Sequence, residues 1–77
     1  MEIKIGITDV PREVAVETDA TREEVEAQVR EALASPDPQQ LLTLTDNRGR
    51  TVLVPTRRVA YVDLGAATPR QVGFGAL

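Results

Sequence analysis

Residues 41–64 read LLTLTDNRGRTVLVPTRRVAYVDL, and few folds accommodate such a stretch. Three short runs stand in a row, and the first alternates with the two-residue period of a strand whose faces differ. In Leu41–Thr45, Leu42 and Leu44 lie on one face and Thr43 and Thr45 on the other. Asp46-Asn47-Arg48-Gly49 is a turn cluster, because Asp and Asn tolerate turn conformations and Gly takes positive φ without a Cβ clash. Residues 51–54 form the second strand. Pro55 has no N–H for a ladder, so it ends that strand or lies on an edge. Val59–Leu64, β-branched and aromatic, is the third. The rest of the chain reads as cover for one face of this ribbon.

Residues 1–8 alternate as well, with Ile3, Ile5 and Ile7 opposite Glu2, Lys4, Gly6 and Thr8. Asp9-Val10-Pro11-Arg12 is a turn, and Glu13–Glu17 alternates again through Val14 and Val16, so the first two strands form a hairpin. Thr21-Arg22-Glu23-Glu24 fits the capping box that opens a helix. Val25, Val29 and Leu33, with Ala32 beside them, make one apolar stripe. Arg22–Glu26 and Glu26–Arg30 are opposite charges four residues apart. Ser35-Pro36-Asp37-Pro38 stops the helix at Leu33 or Ala34.

The order is therefore ββαβββ. The expected fold class is α+β: a single ββαβββ domain over residues 1–65, with a five-stranded mixed or antiparallel sheet, one helix on one face, and a tail over residues 66–77. The short link at residues 55–58 sets the fifth strand beside the fourth. One helix covers one face, which leaves the other for solvent or a partner. Thr43, Thr45, Leu53, Tyr61 and Asp63 are expected on the open face, and Ala60, Val62 and Leu64 toward the helix; a shift of one residue would reverse the last strand, whose Val59 and Tyr61 are apolar as well.

A chain of 77 residues is one domain. Its net stability is expected at about 3–5 kcal/mol. It has no Cys and no His, which excludes disulfides, zinc fingers and thiol nucleophiles. Ser35, the sole Ser, lacks its usual base. Glu23, Glu24 and Glu26 read as capping and solvated charges, and Asp9, Asp46 and Asp63 fall at strand ends or turns without a spacing that joins them. Gly73-Phe74-Gly75 has neither the Lys nor the following helix of a phosphate loop. No catalytic group, metal or cofactor is expected. Oligomerisation remains as the device that steadies a small core. No apolar run is long enough for a membrane span, and the start lacks the pattern of a signal peptide, so the expected setting is the cytoplasm.

Charge is uneven. Residues 1–45 carry four basic against ten acidic side chains, and residues 46–77 five arginines against two aspartates. Arg48, Arg50, Arg57, Arg58 and Arg70, with Tyr61 to stack on a base, make nucleic-acid binding the alternative function. The net charge of −3 and the single Lys weigh against it. The leading expectation is a non-enzymatic interaction module. Its partner is another protein or a second copy, with anchors at Tyr61, Arg57, Arg58, Phe74 and Arg70, because buried aromatics and arginines dominate interface energetics.

In element order (hairpin, helix, the loop Pro36-Asp37-Pro38-Gln39-Gln40, more strands) the chain resembles the ubiquitin-like β-grasp. It ends Gly75-Ala76-Leu77 rather than Gly-Gly, so the conjugation and sulfur-carrier chemistry of that fold is not implied. Along MEIKIGITDVPREVAVE, LLTLTDNRGRTVLVPTRRVAYVDLG and RQVGFG it is similar to a family of short, uncharacterised actinobacterial proteins. That resemblance implies a cytoplasmic actinobacterial protein and carries no catalytic residues with it.

Overall fold

The alternating isoleucines of β1 (Glu2–Ile7) and valines of β2 (Glu13–Glu17) make an antiparallel hairpin, with Ile3 opposite Val16 and Ile5 opposite Val14. The structure, a computed structural model, describes residues 1–65. At the β1–β2 turn the Val10 amide donates to the Ile7 carbonyl at 3.1 Å, and Asp9 takes φ 65°. That left-handed conformation costs Asp less than most residues, because a short polar side chain can bond to nearby main chain.

Helix α1 (Arg22–Ala34) opens as its capping box predicts. The Glu24 amide donates to Thr21 Oγ1 at 3.1 Å, and the Thr21 amide donates to Glu24 Oε1 at 2.9 Å. The Thr21 amide and the Thr21 hydroxyl, the latter at 3.1 Å, both donate to the carboxylate, favour its ionised form and hold the Glu24 pKa below its ordinary value. Thr21→Ala is expected to cost about 1 kcal/mol, read as a lower urea midpoint with an unchanged slope. The buried face is Val25, Val29 and Ala32. Leu33, expected on that stripe, is 45% exposed. Neighbouring residues point about 100° apart on a helix, so Val25, Val29 and Ala32 close one stripe that turns Leu33 outward. Arg22 likewise departs from its expected pairing with Glu26. Its Nη2 donates to the Leu64 carbonyl at 3.3 Å and also to that of Gly65, tying the first helical turn to the end of the last strand. The Arg30–Glu26 pair forms at 2.9 Å.

β3 (Leu41–Thr45) and β4 (Thr51–Pro55) pair antiparallel, with Leu42 opposite Val54 and Leu44 opposite Val52. Their turn is held by Asp46, whose Oδ1 accepts the Arg48 and Arg50 amides at 2.9 and 2.8 Å, and Gly49 takes φ 86°. Those amides and the Arg50 guanidinium hold the Asp46 pKa below its ordinary value.

The strands do not form one five-stranded sheet. They make a three-stranded sheet of order β2-β1-β5 and a separate β3-β4 ribbon, so β5 (Val59–Leu64) lies beside β1 and not beside β4. The cause is the 3₁₀ turn Thr56–Arg58. At its start the Thr56 amide donates to the Gln40 carbonyl at 3.0 Å, extending the β3–β4 ladder; at its end the Arg58 carbonyl accepts the Thr8 amide at 2.8 Å, opening the ladder to β1. Three residues thus carry the chain from one sheet to the other. β1 holds the fully buried Ile3 and Ile5, so its main-chain groups facing away from β2 need a partner, and β5 supplies it.

The β1–β5 register shifts once: Gly6 faces Tyr61, while Ile7 faces Val59. Ala60 is the extra residue of this bulge and is exposed, contrary to the expectation that it faces the helix. Val62 and Leu64 pack on the core as expected, and Val59 joins them in place of Ala60, because one inserted residue flips the alternation. That core joins Ile3, Ile5 and Val16 to Val25, Val29 and Ala32 and to Leu42, Leu44 and Val54. Helix and both sheets therefore share one apolar interior.

Candidate functional site

With the isoleucines of β1 turned to the core, the other face of the β2-β1-β5 sheet carries Glu2, Lys4, Gly6, Glu13, Ala15, Glu17, Tyr61 and Asp63. Four carboxylates surround one Lys, and Lys4 stands opposite Asp63. Tyr61 is the cross-strand partner of Gly6, and its ring lies over the glycine, filling the place of a side chain. The phenol donates to Glu13 Oε2. That hydrogen bond raises the Tyr61 pKa, and burial and the charges of Glu13 and Asp63 push the same way, so the phenol keeps its proton and acts as a donor.

The outward face of the β3–β4 ribbon is of another kind. Leu41, Thr43 and Thr45 stand beside Pro55, Leu53 and Thr51, and none of the six carries a charge. Leu41 is 41% exposed and Leu53 55%. All five residues expected on the open face (Thr43, Thr45, Leu53, Tyr61 and Asp63) are exposed, though they divide between two sheets.

The arginines serve the fold. Arg50 pairs with Asp46 at 3.1 Å and donates to the Ala15 carbonyl at 2.8 Å. Arg57 donates to the Pro38 carbonyl at 3.0 Å, and Arg58 to that of Thr8 at 3.1 Å. Arg57 and Arg58 thus bind two different loops to the 3₁₀ turn. Both are exposed, and neither contacts Tyr61 by a hydrogen bond. Arg70 and Phe74, the other two expected anchors, lie outside the described residues. Gly6 and Glu13, which seat Tyr61, were not anticipated. A lone glycine inside an alternating strand was the available signal, since it marks a place where something approaches the backbone closely.

A half-open groove of about 370 Å³ runs between α1 and β3, and Glu31 is its only titratable lining residue. A second, of about 330 Å³, lies where the β3–β4 turn meets β2. There Glu17 pairs with the N-terminal ammonium at 3.0 Å and Asp46 with Arg50, so its charges are largely engaged. Among the described residues, no group of three or more carboxylates is arranged to hold a metal ion, and Asp9, Asp46 and Asp63 do not converge. No helix among them is long and apolar enough to cross a membrane.

No curated protein matches the chain. The model of one family, described as "Protein of unknown function (DUF3107)", matches residues 1–75, nearly the whole length, and the chain belongs to that family.

Proposed function

We propose that this protein is a small non-enzymatic interaction module that associates with a second copy of itself through its sheet surfaces. The observation that carries this reading is the uncharged outward face of the β3–β4 ribbon. In a chain with 27% charged residues, that face carries two exposed leucines and a half-buried proline among threonines. Charge depletion is a mark of the centre of an interface. Tyr61, 48% exposed yet held in one place by Gly6 and Glu13, adds a rigid aromatic anchor on the second face. Arg57, Arg58, Arg70 and Phe74 belong to the same proposal as rim contacts. The likeness of the sequence to short actinobacterial proteins makes the actinobacterial cytoplasm the proposed setting.

Nucleic-acid binding is the weaker proposal. Arg50, Arg57 and Arg58 each spend N–H donors on main-chain carbonyls, and the β2-β1-β5 face is acidic, which repels phosphates.

Solution mass across a dilution series of the full chain tests the reading. A dimer is expected, and Tyr61→Ala and Phe74→Ala are each expected to weaken it by about tenfold. Unchanged dimerisation in both variants would remove those residues as anchors, and a monomer at every concentration would remove self-association.

A further inference from the structure

We infer that β4 is the edge through which two copies join, strand to strand and antiparallel about a two-fold axis. This rests on the self-association reading and names its surface. An open strand edge is a template for another chain, and a protein that must stay apart blunts its edges. Three of the four outer edges here are blunted.

On β2, Arg50 occupies the Ala15 carbonyl and the Asn47 amide occupies that of Glu17, each at 2.8 Å. On β3, Gln28 Nε2 donates to the Thr43 carbonyl at 2.6 Å and Gln40 Nε2 to that of Leu41 at 3.0 Å. On β5, Arg22 takes the Leu64 carbonyl and the bulge breaks the line at Ala60.

β4 has no such guard among the described residues. The bonds that close the ribbon at each end, Asp46 to Arg50 and Thr56 to Gln40, set the alternation between them. Val52 and Val54 face β3, while Thr51 and Leu53 turn their N–H and C=O groups outward. No partner to those groups is found among the described residues.

The chemistry of the strand also selects its register. If Leu53 of one copy met Leu53 of the other, Thr51 would face Pro55, which has no N–H, and the Thr51 carbonyl would stay unpaired. With the axis at Val52, Thr51 of each copy meets Leu53 of the other. All the outward donors and acceptors of both residues are then used. The ribbons become one four-stranded sheet, β3-β4-β4-β3, and their uncharged faces merge. A chain of net charge −3 can bring two copies together there without opposing carboxylates, since the outward face of the ribbon carries no charge.

Amide hydrogen exchange of the full chain, measured beside its solution mass over a concentration series, tests this edge. Protection of Thr51 and Leu53 amides should rise with the dimer fraction. Leu53→Lys should abolish that rise and weaken dimerisation about tenfold or more, since a lysine on an edge opposes pairing. Should Leu53→Lys lower the melting temperature of the monomer, Thr51→Pro serves instead. It removes one outward N–H at the first residue of the strand, where proline is tolerated.

A dimer whose Thr51 and Leu53 amides exchange freely, or one indifferent to these variants, would overturn the edge and leave self-association standing. Protection that does not change with concentration would also overturn it, because the edge would then be covered within one chain. A monomer throughout would overturn both readings.

Discussion

Leu42→Ala is expected to leave much of the protein unfolded in water at room temperature. Leu42 has no solvent exposure and sits where β3, α1 and the β2-β1-β5 sheet share one interior. Truncating a fully buried leucine costs about 2–5 kcal/mol, as lost burial plus the cavity left behind. A domain of this size holds about 3–5 kcal/mol in all, so one cavity consumes most of it. The measurement is urea unfolding followed by far-UV circular dichroism. Leu33→Ala, on α1 and 45% exposed, is the control and should stay within about 0.5 kcal/mol of the parent. A Leu42→Ala variant as stable as that control would mean that the ribbon does not share the core.

Gly6→Ala should destabilise by about 1–3 kcal/mol, although alanine ordinarily suits a strand interior better than glycine. A Cβ at Gly6 would stand 2.6 Å from Tyr61 Cζ and closer still to Cε2, so the ring must leave. Its departure also breaks the bond from the phenol to Glu13. The cause can be isolated with a double-mutant cycle. In a Tyr61→Ala background the same Gly6→Ala change should become neutral or slightly favourable. An undiminished cost there would place the clash elsewhere. The chain has one Tyr and no Trp, so ultraviolet titration of the phenol reports the ring directly. Its raised pKa should fall back toward the ordinary value once the Glu13 carboxylate no longer accepts its proton. If Tyr61 is an anchor for the second copy, Gly6→Ala should weaken dimerisation alongside Tyr61→Ala.

Near neighbours in the chain determined much of the local structure, and it was legible for that reason. The Thr21–Glu24 capping box needs only residues three apart, and it forms. Asp46 and Gly49 make their turn with their own amides and torsions. The isoleucines of β1 and the leucines of β3 chose their buried faces by a two-residue period that any half-buried strand must obey. The α+β class and the ββαβββ order followed from these short-range signals, with every strand and the helix at its expected place.

Which strand pairs with which was decided only in three dimensions. The link at residues 55–58 is short enough to turn back on β4, but its 3₁₀ turn hands the chain to β1, whose buried main chain needed a second neighbour. From that pairing came the bulge at Ala60, the seat of Tyr61 over Gly6, and the division of the open face into an acidic sheet and an uncharged ribbon. The arginines followed the same logic: in sequence they are charges, and in the fold Arg22, Arg50, Arg57 and Arg58 are donors to main-chain carbonyls far along the chain. Local pattern sets what each segment is, because its energy depends on adjacent residues. Pairing depends on which arrangement of all segments leaves the fewest buried groups unsatisfied, and no single stretch encodes that sum.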